Sequence, residues 1–210
     1  MITSYTPETW EDLQDAVARI LRECGLSSQV EKTLETARGT VEIDVYSVES
    51  VNGRKFIVLC ECKHWKSRVP KQVVHAFRSV VADSGANIGY IISSGGFQSG
   101  SFDAADLTNI RLLTWLEFQR EFEKTWLRVF MRPLLYDRLH VLMSHTAPGG
   151  PSISDSITNT QKERLNELVY RYSAFGWLMT NLYLTMEEVA ELQKEILPLS
   201  KRPILHVWTG

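Results

Sequence analysis

Apolar positions along the chain change period several times, and each change marks an element. In "TPETWEDLQDAVARILRECGL", Trp10, Leu13, Val17, Ile20 and Leu21 recur three or four apart, the spacing of one helix face. Thr6 is the expected N-cap, Pro7 suits a first turn, and Gly25 ends the helix. From "SSQVEKTLETARG" onward the chain turns to β character, and the period drops to two. "VEIDVYSV" puts Val41, Ile43 and Val45 on one strand face and Glu42, Asp44 and Tyr46 on the other. "VNGRK" is a hairpin turn, and "KFIVLCECK" is apolar enough for a buried central strand.

After Pro70, Val73, Val74, Phe77, Val80 and Val81 restore a helical stripe that Gly85 stops. "NIGYIISS" reads as a buried strand and "GGFQSGSFDAADLT" as a Gly-rich loop leading into a short helix. "NIRLLTW" is a further strand and "LEFQREFEKTWLRVFM" a helix. The order α-β-β-β-α-β-α-β-α predicts an α/β domain over residues 1–125. Residues 126–210 are expected to form a mainly helical C-terminal region. Its helices are placed near 117–145, 157–175 and 185–197, with Leu165, Leu168, Val169 and Tyr172 on one apolar face. "TAPGGPSISDS" is a connection between helices, and "KRPILHVWTG" a short final strand.

Composition narrows the class. A chain of 210 residues, 44% hydrophobic and 23% charged, has the make-up of a soluble globular protein. No apolar run approaches the roughly 20 residues that span a bilayer, and "MITSYTPETWEDLQ" has neither the basic flank nor the apolar core of a secretory signal. Three cysteines, Cys24, Cys60 and Cys62, argue for a reducing compartment, so the cytoplasm is the expected location. The net charge of −2 conceals an asymmetry. Arg54, Lys55, Lys63, Lys66, Arg68, Lys71 and Arg78 stand between Gly53 and Arg78 with a single acid, Glu61. A basic segment on an acidic body suggests a local site for a polyanion.

That segment holds the chemistry. Glu61 and Lys63 lie two apart at the end of a strand, so both leave the same face. Asp44 sits on the hairpin-linked neighbour, so one carboxylate from each strand can converge on a divalent cation. Hard cations such as Mg²⁺ take oxygen ligands and need only one or two carboxylates, completed by water and substrate phosphate. The carbonyl of Cys62, between the two side chains, is a natural further ligand. Lys63 would hold the attacking water or stabilise negative charge in the transition state. A zinc clip through Cys60 and Cys62 is disfavoured, because the spacing is wrong and no second pair exists. These two cysteines face the opposite layer as buried small hydrophobes. His64 reads as a surface residue and Trp65 as packing. Lys66, Arg68 and Lys71 follow the site directly and are expected to contact phosphate.

An Asp on one strand and Glu-x-Lys at the end of the next resembles the PD-(D/E)xK nuclease superfamily. Here these are Asp44 and Glu61-Cys62-Lys63. "GTVEIDVY", "CECKHWKSRV", "DSGANIGYIISSGGFQSGS" and "LTW", taken in order, resemble the successive blocks of the Mrr-like restriction endonuclease family. The resemblance implies a restriction-endonuclease-like core, a central mixed β-sheet flanked by helices. It implies a Mg²⁺-dependent endonuclease, with Mn²⁺ able to substitute, that hydrolyses DNA in defence against foreign DNA. It implies an acid on the leading helix, where Glu11 holds the matching place, although a first-turn acid also suits the helix dipole. It favours Gln98, in "SSGGFQSG", as a side chain that touches nucleic acid. Glu42 is a departure from the family pattern, an extra carboxylate on the face assigned to Asp44.

A catalytically silent nucleic-acid-binding or scaffolding module on the same fold is the alternative, which the intact Asp44, Glu61 and Lys63 set disfavours. A third reading gives the function to residues 126–210 as a partner-binding unit. Cutting both strands of a duplex is simplest with two sites, so a homodimer or higher assembly is expected. Trp126, Phe130, Leu134 and Leu135 in one stretch, and Leu165, Leu168 and Tyr172 in another, offer apolar material for the contact, or else pack onto the catalytic domain as extra core.

Overall fold

The computed structural model describes residues 1–135, 137 and 158–181. The chain divides into two compact units, Met1–Phe130 and Met131–Gly210. In the first unit the elements run α1 (Trp10–Glu23), β1 (Ser27–Thr36), β2 (Gly39–Val51), β3 (Arg54–Lys63), α2 (Lys71–Asp83), β4 (Ile88–Ser93), α3 (Ser99–Ala105), β5 (Ile110–Thr114) and α4 (Trp115–Trp126), continued by a π-helical turn, Leu127–Met131. This is the order that the change of periods predicts. In the second unit the described helix is α5 (Asn159–Asn181), which begins near the expected 157 and runs past 175. The helix expected at 185–197 and the final strand lie outside the described residues. No helix among the described residues is long and apolar enough to cross a membrane.

Local chemistry sets the boundaries. Helix α1 starts at Thr9, not Thr6. The Thr9 hydroxyl accepts from Asp12 N at 3.1 Å and Asp12 Oδ2 accepts from Thr9 N at 3.2 Å, a reciprocal capping box. Pro7 stands before the helix, buried, rather than inside its first turn. Thr114 and Glu117 cap α4 in the same way, so Trp115 opens a helix instead of ending a strand. Asn52 and Gly53, both at positive φ, make the two-residue turn between β2 and β3.

The five strands form one mixed sheet in the order β1-β2-β3-β4-β5. The first three are antiparallel neighbours, while β3, β4 and β5 are parallel. Crossover helices α2 and α3 cover one face, where Val74, Phe77, Val81 and Ala104 pack on Leu59 and Ile91. On the other face Tyr90 meets Phe118 and Phe122 of α4 edge-on. Cys60 pairs with Tyr90 and so faces α4, one residue out of phase with Leu59 and Glu61. The parallel strands β3 and β4 end together at Lys63 and Ser93. Glu61 and Lys63 therefore stand at the strand ends in the middle of the sheet.

One strand does not keep its expected alternation. Ile43 and Tyr46, three apart, both belong with the core on the α2 face, and Lys32, paired with Ile43, lies 3.8 Å from the centre of the Tyr46 ring. Val45 is paired with Cys60 and so faces the other way. The pleat is broken at Asp44. Opposite it, Glu31 has φ 50, a conformation uncommon outside glycine. Beyond the break the β1–β2 arm packs Leu34 and Val41 on the α2 core, and Arg38 at its tip meets Asp83 at 3.1 Å.

Trp126 follows the second of its two expected courses, as core. It is buried in the first unit, where its Nε1 donates to Glu23 Oε2 at 2.5 Å. It serves the packing of α4 on α1 rather than an outer surface.

Candidate active site

The break at Asp44 builds the site. Backbone pairing between β2 and β3 reaches Val45 and Cys60, and the next strand N–H, that of Cys62, donates to Asp44 Oδ2 at 2.6 Å. A carboxylate thus takes the place of a ladder carbonyl, and Asp44 is drawn to the end of β3. Glu61 and Lys63 leave β3 on one face and form an ion pair with each other. All three side chains are half-buried.

Burial raises the pKa of Asp44; the Cys62 N–H, the Lys63 charge and the nearby Gln14 and Trp10 side chains oppose the rise. Burial also raises that of Glu61, and the Asp44 charge adds to it, against the pull of Lys63. Two acids are therefore held close, in a setting that disfavours their charged forms. A cation between them would relieve both effects.

The donor set suits a hard cation. Two carboxylates and the Cys62 carbonyl are all oxygen. That carbonyl accepts from Trp10 Nε1 at 3.0 Å, which leaves it a second lone pair. Among the described residues no three of His, Cys, Asp and Glu gather into a cage. A hard cation such as Mg²⁺ needs only one or two carboxylates, because it keeps waters and takes substrate oxygens. Burial pushes the thiols of Cys60 and Cys62 upward, against the thiolate that zinc ligation needs.

Helix α1 contributes Trp10 and Gln14 to the site. Glu11, the acid expected there, is exposed on the first turn. Gln14 is 1% exposed, with its side chain toward Asp44 and its Nε2 short of full hydrogen-bond geometry with any described residue. A glutamine inside the buried stripe of Leu13 and Val17 was the available signal, since a polar side chain is seldom buried without a polar neighbour. Glu42 is exposed on the arm beyond the break.

Lys66, Arg68 and Gln98 are exposed on two loops tied side by side, and Lys71 is exposed at the start of α2. Ser94 N donates to Lys63 O at 3.1 Å, Val69 N to Gly96 O at 2.9 Å and Gln98 N to Val69 O at 3.1 Å. His64 is half-buried rather than a free surface residue, with Nε2 3.2 Å from Pro7 O. Trp65 is not packed away. It is 42% exposed, and its ring centre lies 5.4 Å from Lys63 Nζ.

An acid whose pKa rises on folding binds its proton more tightly in the folded chain. Its charge costs stability above the folded-state pKa, and the cost fades as pH falls toward the unfolded value. Asp44→Asn removes the charge but keeps an oxygen for the Cys62 N–H. In metal-free buffer this variant is expected to melt above the wild type near neutral pH, with the gap closing as pH falls through the carboxylate range. Calorimetry at several pH values checks the sign; a lower melting temperature at neutral pH would contradict it.

Comparison with known proteins finds one family model, Mrr_cat, described as a restriction endonuclease, matching residues 7–122. No curated protein matches the chain. Among solved structures, a protein of unknown function, AF1548, is 13% identical at a TM-score of 0.45, covering 89% of this chain and 96% of its own. The MspJI restriction endonuclease in complex with a 27-mer oligonucleotide is 19% identical at a TM-score of 0.38, covering 57% of this chain. The DNA modification-dependent restriction endonuclease AspBHI is 11% identical at a TM-score of 0.27, covering 56%. The matched parts span 27% of the MspJI chain and 38% of the AspBHI chain.

Proposed function

Because this chain belongs to the Mrr_cat restriction endonuclease family, we propose that it is a PD-(D/E)xK endonuclease that hydrolyses DNA phosphodiester bonds with a divalent metal. The observation that carries the reading is the meeting of Asp44, Glu61, Lys63 and the Cys62 carbonyl at one strand end. Asp44 and Glu61 would hold Mg²⁺ or Mn²⁺, with the Cys62 carbonyl beside them. When bound, the cation supplies a Lewis acid and lowers the pKa of a water.

The chain's own groups do the rest. Lys63 presents its ammonium at the site mouth, where it orients the attacking water and meets negative charge as it builds on the phosphate. Its pairing with Glu61 fixes the ammonium before substrate arrives. Trp10 holds the Cys62 carbonyl, and Gln14 fills the buried side of Asp44. Lys66, Arg68 and Lys71 would bind backbone phosphates and so position the duplex without reading its sequence, with Gln98 on the adjoining loop. Residues 1–125 would carry the nuclease, while 126–210 help to bring two copies together, since a single site cuts one strand at a time. A cytoplasmic role in defence against foreign DNA suits such an enzyme.

Plasmid cleavage tests the reading. Supercoiled DNA should become nicked and then linear with Mg²⁺ or Mn²⁺, and remain intact with chelator. Inactivity on unmodified and methylated plasmids alike, together with tight duplex binding, would favour a silent DNA-binding module instead.

A further inference from the structure

The basic segment is divided by the fold. Lys66, Arg68 and Lys71 lie near the strand end, but Arg78 lies two turns further along α2, where a cavity opens. It has a volume of about 600 Å³ and is bounded by the tip of the β1–β2 arm, the outer face of α2 and the link from α3 to β5. Arg38, His75, Arg78, Ser79, Thr108 and Asn109 line it, with Asp83 the acid among its lining residues. Arg38 neutralises Asp83 at 3.1 Å, so Arg78 leaves a surplus of positive charge.

Arg78 is held ready. One of its amino groups donates to Ala104 O at the end of α3, at 3.3 Å, and a guanidinium has four further N–H donors. The opposite wall is rigid. Thr108 spends its hydroxyl on Ala105 O at 2.6 Å, and Asn109 Nδ2 donates to Asn87 O at 3.1 Å. The cavity also shares an exposed face of α2 with Lys71, which follows the candidate active site in sequence. Lys71, His75, Arg78 and Ala82 recur at helical spacing and are all exposed. Seven residues of helix separate Lys71 from Arg78, about 10 Å of rise. That is about three nucleotides of a duplex strand at 3.4 Å each.

We propose that this cavity is a second phosphate site, in which Arg38 and Arg78, framed by His75 and Ser79, grip a phosphate group. Planar guanidinium groups suit such recognition because they can offer paired N–H donors to one phosphate. The phosphate can belong to a DNA strand continuing along α2 from Lys71, or to a nucleotide. Only the DNA source rests on the nuclease reading.

The test uses the full chain in chelator, so that duplex stays intact, and measures binding of a labelled duplex by anisotropy across a salt series. Arg78→Gln should lower the slope of log K against log salt by about 0.9, the value of one phosphate contact. Arg78→Lys should restore part of it. Asp83→Asn, which frees Arg38, should tighten binding. A parallel arm follows the melting temperature with ATP and with inorganic phosphate. Loss of an ATP-dependent rise in Arg78→Gln, with duplex binding unchanged, assigns the site to a nucleotide and still supports it. If Arg78→Gln and Asp83→Asn match the wild type in both arms, the site is refuted. A wild type that never cuts DNA but loses ATP binding through Arg78→Gln would sink the nuclease reading and leave this site standing.

Discussion

Lys63→Ala is expected to abolish plasmid cleavage, with a loss of at least 10²–10⁴-fold, the range for removing a positioned acid–base or charge-stabilising group. The same variant should keep most of its affinity for Mn²⁺, because Asp44 and Glu61 remain. Glu61→Gln and Asp44→Asn should lose both cleavage and metal affinity. Calorimetric titration with Mn²⁺ beside single-turnover cleavage separates the two roles. The split matters because Lys63 and Glu61 form an ion pair. If Lys63 only neutralised its neighbour, losing it would disturb metal binding as much as chemistry. Undiminished cleavage by purified Lys63→Ala would remove the mechanism.

Gly95→Ala should disable the protein from outside the acid–lysine set. A Cβ at Gly95 would fall 2.5 Å from Trp65 O and 2.7 Å from Ser67 O. Both obstacles are backbone, so the loop carrying Lys66 and Arg68 must move. Overpacking of this kind costs about 1–3 kcal/mol, and a displacement of about 1 Å near the chemistry can cost about 10²-fold in rate. Gly100→Ala is the internal control. Its Cβ would meet only Lys71 Cδ, at 3.6 Å, an ordinary contact within α3. That variant should be unchanged or slightly more stable, because alanine favours a helix over glycine by about 1 kcal/mol. Melting temperatures and cleavage rates of the pair decide it. A Gly95→Ala chain that cuts like the wild type would show that the loop position is unimportant.

Much of the site was legible because strand alternation is a local property. Glu61 and Lys63 share a face by spacing alone, and the buried cysteines between and before them face the other layer, as the pairing of Cys60 with Tyr90 bears out. Local rules were less secure where two signals competed. Thr6-Pro7 looks like a helix start, but the reciprocal hydrogen bonds of Thr9 and Asp12 begin the helix three residues later. Glu11 was the visible acid on α1, yet the side chains turned toward Asp44 are Trp10 and Gln14, one helical turn apart. Trp65 was read as packing because large aromatics usually are, but the loop that carries it is pinned on Gly95 and leaves the ring in solvent.

By itself the sequence determined the order of elements, the mixed α/β class and the placing of Glu61 and Lys63 on one strand face. Each follows from periodicity, which depends on residues only a few positions apart. Tertiary structure alone decided how Asp44 reaches that face. Its carboxylate takes the Cys62 N–H because the pleat breaks there, and the break is visible only in how β1, β2 and β3 pair. Tertiary structure also decided the fate of the basic run. Lys71 and Arg78 are seven apart in sequence, but only the second lines the cavity between α2, the β1–β2 arm and the link to β5. Which charges meet across a cavity is set by long-range packing, and no local pattern encodes it.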